Sequence, residues 1–203
     1  MKTAGIVAEY NPFHTGHAHQ ISRTRAELGP DAAVVCVMSG NWVQQADCAI
    51  ADKWLRARLA LMGGVDLVLE LPTPWATASA EAFARGGISL LAASGVVDVL
   101  SFGSECGDVE ALKQVAGCLD SPVYAAGLRR FLDEGMTFAA CRQATAEGLL
   151  GKELGELLRS PNNNLGVEYL RALNALGSTI RPMTVRREGA GHAAPAPFLS
   201  PGD

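Results

Sequence analysis

After an apolar run at residues 3–8, the chain reads Glu9-Tyr10-Asn11-Pro12-Phe13-His14-Thr15-Gly16-His17-Ala18-His19-Gln20. His14 and His17 flank Gly16 in an HxGH element at a strand-to-helix turn, and that arrangement suits phosphate chemistry. Backbone amides at a helix N-terminus attract anions, and glycine lets the chain approach a ligand closely. Each imidazole can donate a hydrogen bond to charge developing on a departing pyrophosphate. A short motif taken alone also admits two surface histidines with no role.

The surrounding pattern says what must position these groups. Nearly continuous apolar runs at 3–8, 32–38, 65–71 and 96–102 have the character of parallel strands covered on both faces. Helical patterns at 17–28, 52–62 and 79–94 alternate with them. In the second, Asp52 is the expected N-cap, Leu55, Leu59 and Met62 share a face, and Gly63 stops the helix. Asp108 opens another helix, with Val109, Leu112, Val115 and Leu119 at helical spacing. The alternation predicts an α/β fold with a doubly wound parallel sheet, whose ligands sit beyond the carboxyl ends of the strands. The HxGH element and residues 38–41, 70–72 and 102–105 all follow strand runs and are placed to converge there.

Further along, residues 121–158 predict an added helical segment, 160–166 a turn-rich loop, and 167–176 a helix. Residues 179–187 read as a candidate last strand that Pro182 confines to an edge or to an irregular extension. The tail from Gly189 is rich in Gly, Ala and Pro and is expected to be loose.

At 203 residues, 48% hydrophobic and 19% charged, the composition is that of an ordinary soluble globule with one sizeable core. The formal charge of -4 argues against a broad nucleic-acid-binding face, which relies on clustered Lys and Arg. Cys36, Cys48, Cys106, Cys118 and Cys141 are odd in number, widely spaced and free of CxxC pairs, so buried thiols in a reducing cytoplasm are expected. No secretory leader and no membrane-length apolar stretch is seen, so a cytoplasmic location is expected.

Several segments occur in one order: Glu9-Tyr-Asn-Pro-Phe-His14-x-Gly16-His17, Met38-Ser-Gly-Asn41-Trp-Val-Gln44, Asp52-Lys53-Trp54-x-Arg56, Gly64-Val-Asp66-Leu-Val-Leu-Glu70-Leu-Pro72, Ser101-Phe-Gly103-Ser-Glu105 and Ser160-Pro-Asn162-Asn163. Together they resemble the tRNA(Met) cytidine acetate ligase family from Met1 to about Gly191. The resemblance implies a Rossmann-like fold of the HxGH nucleotidyltransferase type, with residues 1–190 as the nucleotide-binding domain, 121–158 as a helical insertion and 191–203 as a tail. It implies an enzyme that activates acetate with ATP to acetyl-adenylate, then acetylates N4 of the wobble cytidine of elongator tRNA(Met). Magnesium would accompany the ATP, and no carboxylate cage for a resident metal is visible.

By that resemblance Val7, Ala8, Glu9, Tyr10, Asn11, Pro12, Phe13, His14, Thr15, Gly16, His17, Ala18, His19 and Gln20 cradle ATP, with His14 and His17 catalytic at the phosphates. Gly103, Asn162 and Arg187 match three further ATP contacts. On their own chemistry these positions keep other readings. Gly103 can close a tight turn, Asn162 and Asn163 can cap a helix, and Arg187 can be a solvated strand end with Arg186 as the true ligand. On their own chemistry His19 and the lone His192 read as non-ligands. Asp52, Lys53 and Arg56 fit either substrate recognition or a capped, charged helix face. Glu70 and Glu105 could position an amine or a metal, and Trp42, Trp54 and Trp75 could stack on a base or simply pack.

The sequence departs from the family in three places. Gln45-Ala46 stands where the family has Arg-Gly, Gly189-Ala-Gly191-His192-Ala-Ala replaces Gly-Ala-Gly-Tyr-His-Asp, and a downstream Ser/Thr-Arg motif is not found. Family members run to about twice this length, with a C-terminal tRNA-binding region, so weak or no tRNA binding is expected of this chain alone. Two other readings stay open: a nucleotidylyltransferase acting on a small phosphorylated substrate, and a nucleotide-binding module without turnover.

Overall fold

The computed structural model describes residues 1–187; the tail and His192 lie outside the described residues. The chain runs β1 (Thr3–Ala8), α1 (Thr15–Leu28), β2 (Ala33–Ser39), α2 (Lys53–Met62), β3 (Leu67–Leu71). It continues through α3 (Thr73–Ala76), α4 (Ala80–Ala93), β4 (Val99–Ser104) and α5 (Val109–Leu119). A helical stretch follows, α6 (Pro122–Asp133), α7 (Phe138–Leu150) and α8 (Lys152–Glu156), before α9 (Pro161–Ala175) and β5 (Arg181–Arg186).

All pairings in the five-stranded sheet are parallel, and the strand order is β3-β2-β1-β4-β5. Side chains alternate across a strand, so neighbours in sequence feed opposite cores. Ile6, Val34, Cys36 and Met38 pack with Ile21 of α1 and Ala60 of α2. Val7, Val35, Val37, Leu100 and Phe102 pack on the other face with α4, α5 and α9. The sheet is therefore doubly wound, as the apolar runs predict. Among the described residues no helix is long and apolar enough to cross a membrane.

Side-chain caps define the helix starts. Asp52 Oδ1 accepts from the amides of Trp54 and Leu55 at 2.9 and 3.0 Å, and Asp108 does the same for Glu110 and Ala111. Pro182 falls in β5, at the sheet edge, where a missing donor is tolerated.

Several expectations are corrected. β4 begins at Val99 instead of residue 96 and runs through the polar Ser101, Gly103 and Ser104. These hydroxyls are buried but paired, Ser101 with Thr24 and Ser104 with Thr184, each at 2.7 Å. The expected loop at 160–166 is instead the first two turns of α9. In α2 the face carrying Leu55 and Met62 is exposed, whereas Arg56 and Ala60 are buried. All five cysteines are free, but Cys48 is exposed and Cys106 and Cys118 are half-buried.

The Gln45-Ala46 departure has a local consequence. Gln45 and Ala46 both adopt left-handed backbone, with φ of 65° and 60°. That conformation costs an L-residue about 1–2 kcal/mol, which exceeds the roughly 0.5–1 kcal/mol entropic cost of placing glycine there. Ala46→Gly should therefore stabilise the fold by about 0.5–1 kcal/mol, read as a higher urea midpoint with unchanged slope. A lower midpoint would contradict the strain at this turn.

Candidate functional site

The strand order reverses direction at β1, which is flanked by β2 on one side and β4 on the other. A cavity of about 540 Å³ opens there at the carboxyl ends of the strands. This is the switch point where doubly wound sheets bind ligands, and the volume suits a nucleotide-sized molecule.

Tyr10 turns the chain out of β1 with a left-handed φ of 46° and buries its ring against Phe13 and His17. Burial holds the Tyr10 and Tyr169 phenols well above the ordinary tyrosine range. Both are therefore neutral at physiological pH.

His14 is the N-cap of α1: its Nδ1 accepts from the Gly16 amide at 3.0 Å. His17 Nδ1 accepts from the His14 amide at 3.2 Å, closing a reciprocal capping box. A nitrogen that accepts carries no proton, so in the neutral ring both imidazoles hold theirs on Nε2. The rings stack 3.7 Å apart and both line the cavity. A Cβ on Gly16 would stand 2.9 Å from His14 Cε1. A side chain at position 16 would therefore crowd the His14 imidazole and displace it.

Gly103, Asn162 and Arg187 are far apart in sequence and line the same cavity. Gly103 lies within β4 and does not close a turn; Gly107, further along, is the glycine with left-handed backbone, at φ of 67°. The Arg187 stem crosses over Gly103, where a Cβ would come within 3.3 Å of Cγ. Arg186 packs over Gly107 and is absent from the cavity lining.

Asn162 and Asn163 are not N-caps. They exchange hydrogen bonds with Glu105, whose carboxylate accepts from the Asn162 amide, Asn162 Nδ2 and the Asn163 amide at 3.2, 2.7 and 2.7 Å. Asn163 Oδ1 returns the contact by accepting from the amides of Glu105 and Cys106. Glu105 thus caps α9 from a distant loop and orients Asn162. Burial works to raise its pKa, but the bonds from Asn162, Asn163 and its own backbone outweigh burial and hold it below the usual carboxylate range. A depressed folded pKa contributes stability above the unfolded value of about 4.3, and that stability is lost as pH falls through the folded pKa. Glu105→Gln should therefore be less stable than the parent at pH 7, with the difference shrinking below about pH 4. Urea titrations across that range test this, and a pH-independent difference would contradict it.

The expected run 7–20 divides in two. Val7 to Pro12, His14, His17 and Gln20 line the cavity. Phe13, Thr15, Gly16, Ala18 and His19 do not. Phe13 packs instead against Tyr10, His17 and Gly63. Sequence reasoning missed Gln44, Phe83, Phe102, Asn164, Leu165 and Tyr169, all of which line the cavity. Asn164 and Leu165 follow Asn162 within the same turns of α9, which is a legible signal once that segment is helical. Phe83 and Tyr169 reach the wall only through the packing of α4 and α9.

The polar residues of the other motifs largely hold backbone. Glu9 accepts from the Gln44 amide, Asn11 from Ile50 and Asn41 from Lys53, at 2.7, 2.7 and 2.8 Å. Lys53 pairs with Glu70 at 2.6 Å beside a second cavity of about 280 Å³. Trp42, Trp54 and Trp75 are all exposed, Trp54 the most at 76%, so none serves as core. Among the described residues no group of three or more His, Cys, Asp or Glu is placed to hold a metal.

A parallel sheet of this order, with an HxGH turn capping the first helix beside a switch-point cavity, defines a Rossmann-like protein of the HxGH nucleotidyltransferase type. The family model described as HIGH Nucleotidyl Transferase matches residues 1–196. The chain belongs to that family.

Its sequence is 45% identical to the tRNA(Met) cytidine acetate ligase of Caldanaerobacter subterraneus subsp. tengcongensis, covering 94% of this chain and 48% of that protein. It is 47% identical to the enzyme of the same name from Syntrophotalea carbinolica, covering 95% and 46%. A crystal structure of Thermotoga maritima TmcAL bound with alpha-thio ATP superposes with a TM-score of 0.88 at 41% identity, over 94% of this chain and 47% of that one. The chain spans about half the length of the curated relatives it matches.

Proposed function

We propose that this chain is the ATP-binding part of an acetate-activating ligase that acetylates N4 of the wobble cytidine of elongator tRNA(Met). The observation that carries the reading is the convergence of His14, His17, Gly103, Asn162 and Arg187 on one cavity. Further support comes from the likeness to TmcAL, whose solved structure holds alpha-thio ATP.

In this reading the triphosphate lies against the α1 N-terminus, where the Nε2–H groups of His14 and His17 donate to it. Arg187, which lines the same cavity beside Gly103, brings a planar fork suited to phosphate oxygens. Asn162, fixed by Glu105, faces the nucleoside, and Gly103 leaves room for the Arg187 side chain that crosses over it. The α9 N-terminus is closed to phosphate because its first amides already serve the Glu105 carboxylate. Acetate attacks the α-phosphorus, the bond to the pyrophosphate oxygen breaks, and acetyl-adenylate forms. Fixed donors at the leaving pyrophosphate stabilise charge that grows only in the transition state. The cytidine N4 amine then attacks the acetyl carbon, AMP leaves and N4 gives up a proton. Magnesium enters this scheme only as part of the ATP substrate.

The test is calorimetry with ATP followed by ATP–pyrophosphate exchange with acetate, other short acids and labelled CTP as competitors. The reading requires saturable ATP binding and exchange that depends on acetate. Exchange supported by a phosphorylated acceptor without acetate would favour a nucleotidylyltransferase. ATP binding with no exchange would leave a nucleotide-binding module.

A further inference from the structure

Arg56 is fully buried in α2, the opposite of an exposed charged face. Its guanidinium donates to four carbonyls: Ala51 through Nε at 3.2 Å, Glu9 through Nη1, and Ser39 and Gly40 through Nη2. These oxygens belong to the exits of β1 and β2 and the entry of α2. Among the described residues no carboxylate lies within ion-pairing distance of it. The nearest charged groups acting on it are Glu9 from the β1 exit and Asp52 from the α2 cap. Glu9 itself lines the main cavity, so the guanidinium sits one residue behind that wall.

A buried cation that serves only to tie loops together is an expensive choice, because neutral donors hold carbonyls without the desolvation cost of a charge. Four carbonyls and the neighbouring Glu9 and Asp52 offset part of this charge, and in a low-dielectric wall the remaining positive potential extends into the adjoining cavity. We infer that Arg56 is a positioning residue with an electrostatic role: it fixes the Glu9 turn and biases the cavity toward the charged tail of its nucleotide. This inference rests on the reading of the cavity as an ATP site.

The experiment compares the affinities of ATP and adenosine, which share the nucleoside and differ in the phosphates. In Arg56→Met the ATP affinity should fall by about tenfold or more, while adenosine changes by less than about threefold. Equal losses for both ligands, or unchanged ATP binding, would overturn the inference. Should Arg56→Met lack a cooperative unfolding transition, Arg56→Lys decides the matter. A lysine at this position is half neutral by about pH 10.4 even if burial shifts nothing, and burial, which also pulls the Arg56 pKa down from its higher ordinary value, would neutralise it sooner. The ATP-to-adenosine affinity ratio of Arg56→Lys should fall between pH 7 and about pH 10.5, while that of the parent stays level. Parallel profiles would again overturn the inference. Failure of the parent to bind ATP at all would sink the ATP reading along with this one.

Discussion

In the proposed acetate-activating reading, replacing His14 and His17 together with alanine in a complete enzyme should lower acetate-dependent ATP–pyrophosphate exchange by about 10³-fold or more, while adenosine affinity changes little. One fixed donor aimed at developing charge contributes about 10²–10³ to such a step, and two stacked donors act as a unit whose effects are not additive. Their accepting Nδ1 atoms leave the proton of the neutral rings on Nε2, and both residues line the cavity. A structural side effect has to be separated from this. His14 also caps α1, and losing a cap costs about 1 kcal/mol. His14→Ser restores a cap without the reach of an imidazole. It should match the parent in urea midpoint yet remain far below it in exchange. Recovery of exchange by His14→Ser would assign the histidine to capping alone.

The second large effect concerns stability. Glu168 in α9 is 1% exposed, and its carboxylate receives Arg142 of α7 at 2.6 Å and Arg171 at 2.8 Å. Arg171 also donates to Asp120 at 2.7 Å. Burial alone would lower the Arg171 pKa, but Asp120, Glu168 and Glu81 together raise it above the ordinary value. This network ties the helical stretch after α5 to the helix that carries Asn162, Asn164 and Tyr169 into the cavity wall. Glu168→Ala leaves two guanidinium groups partly buried without their shared partner, and should cost about 3–5 kcal/mol in urea unfolding. Removing Glu156 from its exposed pair with Lys152, where the lysine side chain is 83% exposed, should cost under about 0.5 kcal/mol. ATP affinity should fall in Glu168→Ala and not in the Glu156 variant. Equal, small losses in both would show that the buried network does not hold α9 in place.

The parts of this architecture that were legible in the sequence are those set by local pattern. Continuous apolar runs and Asp or Ser caps place the strands and most helix starts, because burial on both faces and capping leave a local trace. Where the physics is tertiary, the local pattern misleads. β4 is shifted because exposed Val96 lies outside it, while Ser101 and Ser104 lie inside with partners on α1 and β5. The start of α9 looks like a loop because Pro161-Asn162-Asn163-Asn164 is turn chemistry unless Glu105 arrives to cap it. Arg56 looks like a surface charge because nothing nearby in sequence reveals the carbonyls it will gather. At the site, the HxGH element and the positions of Gly103, Asn162 and Arg187 were legible as motifs. The apolar wall from Phe83, Phe102 and Tyr169 was not, since it is assembled by the packing of α4, β4 and α9.

In the proposed reading the switch-point cavity holds ATP with its triphosphate at the capping box of α1. A crystal structure of the chain with a nonhydrolysable ATP analogue tests it most directly. Phosphate oxygens are expected within hydrogen-bonding distance of His14 Nε2, His17 Nε2 and the Arg187 guanidinium, with the nucleoside beside Gly103 and Asn162. A nucleotide bound with its phosphates away from both histidines, or in the smaller cavity beside Lys53 and Trp54, would contradict it.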